Sequence, residues 1–323
     1  VAKAAGGNEF DSSMASRAAW LHYAGGLTQA QVAKRLGLSN LKAHRLITRA
    51  NQQGMVKFVI DGEIAECVAL EDQLSRAFKL DYCEVVPEFD FDDLPLRSLG
   101  LAGAQYLRRT IDNGEHKSIG VGHGRTLASC VEQLPTSATA STHFVSLIGG
   151  FTQSFSANPH DVIHRLAQRS GCRAFVVPVP FFANTEHDKT LLLAQPGISE
   201  VFEMARISSL KLVGIGSAEV EASIVASGMV DAAEITAVSQ AGGVGELLGH
   251  FFDNSGCPVD TQLSARTLTL PLQHLKDSKI VAVAGGKAKT RAIRSVLNSR
   301  CLSGLITDEC SARALVSDSH DAD

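Results

Sequence analysis

Val32, Ala33 and Leu36 recur at helical spacing, and so do Leu41, Ala43, Leu46 and Ile47; Gly37-Leu38-Ser39 interrupts the two apolar faces. The pattern predicts two short helices meeting at a tight turn. Thr28 and Ser39 each stand just before a helix, where a hydroxyl accepts a bond from an orphan backbone N–H, and Gly37 can supply the positive φ that ends the first helix. This is the pattern of a helix-turn-helix. Upstream, residues 13–24 place Met14, Ala18, Trp20 and Leu21 at helical spacing, which predicts a scaffold helix ended by Gly25-Gly26. Downstream of Gly54, residues 55–60 alternate as a strand and Asp61-Gly62 is a turn signal, which predicts a wing. An amphipathic helix over 70–78 then opens the second part of the chain.

From Tyr82 the rhythm changes to apolar runs alternating with helical stretches. Strands are predicted at 82–86, 118–121, 143–148, 174–178, 211–215, 279–284 and 304–306, and helices at 96–111, 126–134, 158–170, 198–207, 287–298 and 309–316. Residues 219–260 show no regular rhythm. The fold class is therefore α/β: an N-terminal winged helix-turn-helix, then a larger open, mostly parallel sheet with helices on both faces. The expected division is a disordered leader over 1–11, a DNA-binding domain over 12–65 and an effector-binding domain over 66–323.

Charge changes the picture of the first part. Residues 12–60 hold seven basic residues (Arg17, Lys34, Arg35, Lys42, Arg45, Arg49, Lys57) and no Asp or Glu. The rest of the chain holds 23 basic against 34 acidic residues, so a local charge of +7 is joined to a body of −11. Such segregation suits a small module that docks on a polyanion and a larger part that does not. Thr28, Gln29, Ser39, Asn40, Lys42, His44, Arg45 and Arg49, with Lys57 on the wing, are the expected contacts to phosphates and base edges of double-stranded operator DNA. The bland alternative is an alanine-rich helical pair that happens to be basic.

Composition adds bounds. With 323 residues, 45% hydrophobic and 20% charged, the chain reads as a two-domain soluble protein. No apolar run approaches the ~20 residues of a membrane span; the run over 175–182 is broken by Pro178 and Pro180. The first seven residues lack both an apolar h-region and a start Met, which reads as no signal peptide and as a tag remnant or truncated end. Seven cysteines, odd in number and without a C-x-x-C pair, predict buried thiols in a reduced, cytoplasmic setting.

Four predicted strands end in glycine, in the loops Gly120-Val121-Gly122-His123-Gly124-Arg125-Thr126, Gly149-Gly150, Gly214-Ile215-Gly216-Ser217 and Gly285-Gly286-Lys287-Ala288-Lys289. Ligands of open α/β sheets bind beyond the carboxyl ends of the strands, and glycine lets backbone N–H groups approach an anion or a hydroxyl-rich ligand. The expected effector site is Gly122, His123, Gly124, Arg125, Thr126, Gly149, Gly150, Gly216, Glu246, Asp253, Lys287 and Lys289. Glu246 and Asp253 stand among apolar residues, and sugar hydroxyls are suitable partners for them; the alternative for Asp253-Asn254 is a turn cap. His160 and His164 form an i, i+4 pair without an evident third ligand, so a solvated helix face is preferred to a metal site. No G-x-G-x-x-G with a following acidic residue and no G-x-x-x-x-G-K-[ST] occurs, which argues against a dinucleotide enzyme and a nucleotide triphosphatase. No cofactor is expected.

The helix-turn-helix, the Gly120-x-Gly122-x-Gly124-Arg125-Thr126 loop, the Gly245-Glu246 to Gly256 stretch, and the tail Ala284-Gly285-Gly286-x-x-Lys289-x-x-Ala292-Ile293-x-x-x-Leu297 with Thr307-Asp308-Glu309-x-x-Ala312 together resemble the SorC family of sugar-binding transcriptional regulators. One departure is Ala43, where such motifs more often carry Val or Ile. The resemblance implies a repressor or activator whose larger domain is similar to sugar-phosphate isomerases and deaminases but senses a sugar, polyol or sugar phosphate without converting it. It also implies a homo-oligomer, a dimer or tetramer, gripping operators through paired heads. By the same likeness Lys289 would hold a ligand phosphate or hydroxyl, Arg125 and Thr126 would lie beside the first loop, and Glu246 and Asp253 would face the ligand. The competing expectation is an isomerase or deaminase-like enzyme with an added head, with Asp253 or Glu246 as general base and Lys289 anchoring phosphate; an enzyme has no need of the basic head.

Overall fold

The computed structural model describes residues 5–56, 65–87, 95–135, 142–150, 162–226 and 228–317. They belong to two compact units, Val1–Gly62 and Glu63–Asp323.

Among its described residues the first unit contains three helices, α1 (Ala5–Tyr23), α2 (Gln29–Leu36) and α3 (Asn40–Gln52). Residues 5–11, expected as a leader, are the first turns of α1; no proline interrupts them, and a helix once nucleated gains one bond for each residue added. Thr28 caps α2 in a reciprocal box, its Oγ1 accepting from Gln31 N at 3.4 Å while Thr28 N donates to Gln31 Oε1 at 2.8 Å. Ser39 Oγ accepts from Lys42 N at 3.3 Å to cap α3. Between them Gly37 takes φ 67°, the left-handed turn that closes α2. Val32, Ala33, Ala43, Leu46, Ile47 and Ala50 pack with Ala15, Ala18, Ala19 and Leu21. Ala43 is fully buried in this core. Trp20 is not part of it: 65% exposed, it stands on the outer face of α1 because Ala19 and Leu21 take the inward positions. The expected wing strand and Lys57 lie outside the described residues.

In the second unit, helix α4 (Ala65–Phe78) precedes strand β1 (Tyr82–Val86). The other strands are β2 (Ser118–Val121), β3 (His143–Ser146), β4 (Arg173–Phe175), β5 (Leu210–Val213), β6 (Gly216–Ser217), β7 (Gly245–Leu247), β8 (His250–Phe252), β9 (Ile280–Val283) and β10 (Gly304–Asp308). Seven of them form one sheet, in the order β1-β10-β9-β5-β2-β3-β4, with every pairing parallel. Alternate residues face opposite sides of a strand, and both sides are buried here. Ile280 and Ala282 of β9 join one core cluster and Val281 and Val283 the other; Leu305 and Ile306 of β10 divide in the same way. The first cluster packs under α4 and helices Pro196–Ile207, Thr290–Asn298 and Glu309–Ser317. The second packs under α5 (Leu96–Asn113), α6 (Arg125–Gln133) and Val162–Ser170. Full burial of each such aliphatic side chain contributes about 1.5–3 kcal/mol.

Lys211 is the exception on a central strand. It is fully buried, and its Nζ donates to the carbonyls of Arg206 (3.2 Å) and Ser208 (3.0 Å) at the end of helix Pro196–Ile207. Burial, reinforced by the nearby Arg206 charge, lowers its pKa to about 8.

The stretch without sequence rhythm carries most of a second, antiparallel sheet, β6-β7-β8. Its strands are two or three residues long, too short to display alternation. Between β7 and β8 the chain reverses through Leu248 (φ 50°) and Gly249 (φ 82°), a hairpin turn with positive φ at both central residues. A leucine in that region is uncommon, and Glu246 Oε1 fastens the turn by accepting from Gly249 N.

Candidate functional site

The strand order places a topological switch between β2 and β5. From β2 the chain proceeds outward to β3 and β4, while β5 leads the other way to β9 and β10. Loops leaving adjacent strands in opposite directions open a crevice at their carboxyl ends. A cavity of about 240 Å³ lies there, lined from the loop after β2 by His123, Gly124, Arg125 and Thr126, from the loop after β5 by Gly214, Ile215, Gly216 and Ser217, and from the loop after β9 by Ala288 and Lys289. Glu246 enters from β7 and Leu248 from the hairpin turn.

His123, Lys289 and Glu246 are held in place by hydrogen bonds. Ser146 Oγ donates to Ile148 O at 2.8 Å, which leaves its oxygen to accept from His123 Nε2 at 3.3 Å. Lys289 Nζ donates to Ile215 O at 2.9 Å, so the loop after β9 is tied to the loop after β5. Burial, with the Arg125 charge second, lowers the Lys289 pKa, and Glu246 opposes that shift. Burial raises the Glu246 carboxyl above its usual range, against the Gly249 N–H and the Lys289 charge. Gly216 pairs with Glu246 across β6 and β7, and a Cβ there would stand 2.3 Å from Glu246 Oε2; glycine leaves the carboxylate its space. Arg125 is exposed at the start of α6, whose N-terminus has no side-chain cap.

The tail motif supports the site from behind. Gly286, at φ 98°, donates its N–H to Asp308 Oδ2 (2.8 Å) and Ser311 Oγ (2.9 Å). The buried Asp308 also accepts from Ser311 N (2.9 Å) and Ser311 Oγ (2.6 Å). This network fixes the path of the chain into Lys289.

The cavity thus brings together His123, Gly124, Arg125, Thr126, Gly216, Glu246 and Lys289 of the expected residues. Five stand elsewhere. Gly122 is buried behind the first loop, its Cβ position facing Leu248 and Leu127. Gly149 serves close backbone packing, since a Cβ would meet Pro180 O at 2.3 Å. Gly150 lines a neighbouring cavity of about 590 Å³, where Arg266 pairs with Glu234. Lys287 is exposed and outside the lining. Asp253 caps its own turn, Oδ1 accepting from Ser255 N (2.9 Å), Ser255 Oγ (2.7 Å) and Cys257 N (2.9 Å), so it offers no base to a ligand in the cavity. Sequence reasoning passed over Ile148, Phe181, Glu219, Glu221, Ile224 and Met229, which also line it. The two glutamates follow the Gly214–Ser217 loop directly, the one signal that pointed to them.

On the first unit, Asn40, Lys42, His44 and Arg45 are exposed along α3, and Arg49 is half-buried. His44 Nδ1 lies 3.2 Å from Gln29 Oε1, linking α3 to the first turn of α2. Thr28 and Ser39 are exposed and already engaged as caps.

Comparisons with known proteins follow this division. Residues 62–317 match the family described as "Putative sugar-binding domain". The chain is 51% identical over 306 residues to the erythritol catabolism regulatory protein EryD of Brucella abortus, covering 95% of this chain and 97% of that one. It is 31% identical to the transcriptional regulator LsrR of an Enterobacter species, over 95% and 93% of the two chains. Among solved structures, the full-length sorbitol operon regulator SorC of Klebsiella pneumoniae superposes with a TM-score of 0.73 at 25% identity, covering 94% of this chain and 98% of that one.

Proposed function

Because this chain belongs to the SorC family of sugar-binding transcriptional regulators, we propose that residues 12–65 hold operator DNA and that the cavity at the β2/β5 switch point holds the carbohydrate that controls it. The chain is a DNA-binding regulator, and the relatives named above are regulators, not enzymes. The observation that carries the assignment of the cavity is the convergence of three strand-end loops on one enclosure that mixes cations, carboxylates and apolar walls. Its volume lies below the ~300–1,000 Å³ of drug-sized sites, which suits a small metabolite. Likeness to the erythritol catabolism regulator points to a four-carbon polyol or a derivative as the effector.

The effector changes operator affinity by binding one arrangement of the protein better than another, and it can do so only by that difference. Asn40, Lys42, His44, Arg45 and Arg49 supply donors for phosphates and base edges, with Thr28, Gln29, Ser39 and Lys57 beside them. The protein acts in the cytoplasm as a homo-oligomer whose paired heads read a two-fold operator. The seven cysteines form no disulfide, which suits that compartment, and among the described residues no helix is long and apolar enough to cross a membrane.

The test is thermal unfolding against erythritol, other polyols, sugars and their phosphates, because a ligand of the folded state raises the midpoint by mass action. A shift with a small carbohydrate is expected. No shift with any of them would remove the effector assignment and leave the DNA-binding head standing.

A further inference from the structure

Resting on the reading that the β2/β5 cavity takes the effector, we propose that Glu219 and Glu221 are specificity-determining residues that admit an uncharged polyol and reject its phosphate ester. The charge inventory of the cavity carries this. Among the described residues its lining contains two cations, Arg125 and Lys289, and three carboxylates, Glu219, Glu221 and Glu246. The second lysine of the loop after β9, Lys287, is exposed and outside the lining. Lys289 already donates to Ile215 O and stands near the Glu246 charge, so Arg125 is the cation left with its charge uncommitted to a carboxylate within the lining.

Hydrogen-bonding roles sharpen the argument. An ionised carboxylate only accepts, and so does a fully ionised phosphate; placed side by side they repel and form no bond. A polyol hydroxyl does both. It donates to a glutamate oxygen and accepts from Arg125, Lys289 or the uncapped amides at the start of α6. Glu219 and Glu221 make no side-chain hydrogen bond or ion pair among the described residues, and both are exposed. The fold does not employ them, and their acceptors remain available to a ligand. A phosphate group carries about −1.5 to −2 charges at neutral pH, and in the described lining the carboxylates outnumber the cations that would receive it.

Isothermal titration calorimetry with erythritol and with erythritol 4-phosphate tests the filter, on the full chain and on Glu219→Gln/Glu221→Gln. The wild type is expected to bind erythritol at least about tenfold more tightly than the phosphate, a preference that narrows as salt is raised. The double variant keeps one acceptor at each position and removes both charges. Its affinity for the phosphate should rise by about tenfold, whereas erythritol, which exchanges charge-assisted bonds for neutral ones, should bind less tightly than to the wild type. Tighter binding of the phosphate by the wild type, or an equal change for both ligands in the variant, would overturn the filter while leaving the cavity assigned. Binding of neither compound by a wild-type protein that still holds DNA would overturn the polyol reading on which the filter rests.

Discussion

On the recognition helix, the side chains assigned to DNA come from Asn40 to Arg49 of a single helix and mostly point outward. The side chains assigned to the effector come from loops spread between His123 and Lys289 and point into an enclosure. The difference has an energetic consequence. Exposed donors on α3 contribute little to the fold, so replacing them should weaken binding and spare stability. In the cavity the same atoms that meet a ligand also tie loops together, as Lys289 does to Ile215 O, so function and stability should fall together.

The largest effect is expected behind the cavity. Asp308→Ala would leave the buried Ser311 N–H and O–H groups without their acceptor and take one of two acceptors from the Gly286 N–H, costing about 3 kcal/mol. Urea unfolding should show this loss in the transition of the effector unit and not in that of the head. Next, Lys289→Ala should lower effector affinity by at least about tenfold, the scale of a lost hydrogen bond to a charged group, and should also lower the melting midpoint of the effector unit. Arg45→Ala provides the contrast: operator affinity falls by about tenfold and the slope of log K against log salt flattens by about 0.9, with stability changed by less than about 0.5 kcal/mol. Were Arg45→Ala to destabilise the head as much as Lys289→Ala does the effector unit, the contrast would break. Gly37→Ala separates conformation from contact. Nothing lies within 4 Å of its Cβ position, so the cost of about 1 kcal/mol comes from φ 67° alone and should appear only in the head.

The smallest effect is one of pH. Burial raises the Glu246 pKa in the folded protein, so the folded state takes up a proton before the unfolded chain does. The penalty of the buried charge is present at neutral pH and fades as pH falls through the raised value toward the ordinary carboxylate pKa. Against Glu246→Gln, the wild type should therefore gain relative stability on acidification over that window. A gap between the two midpoints that stays constant with pH would contradict the buried charge.

How much could be read beforehand follows from the same contrast. The helix-turn-helix was legible because its signals are local: two hydroxyl caps, one glycine and an apolar stripe fall within one short stretch. Trp20 misled because helical spacing alone does not distinguish it from Ala19 and Leu21, its immediate neighbours in the chain. The parallel strands were legible to within a few residues, since both faces are buried and the apolar runs are continuous. The antiparallel strands β6 to β8 were not, being two or three residues long. Of the glycine loops, three converge and the one ending in Gly149-Gly150 does not, because pairing of Gly150 with Pro180 directs that backbone elsewhere. Asp253 and Glu246 were both expected to face the ligand, with a turn cap as the alternative for Asp253. Only the hairpin register and the turn bonds separate a carboxylate that lines the cavity from one that caps its own loop.

The central claim is that the cavity around Lys289 controls the head. The most direct measurement is the affinity for an operator fragment selected from random duplex DNA, without erythritol and with erythritol near its wild-type Kd, where a tenfold weaker binder stays almost empty, for the wild type and Lys289→Ala. The account predicts equal affinities for the two proteins without ligand and a ligand-dependent change in the wild type alone. A change of the same size in both proteins would place control outside this cavity and contradict the account.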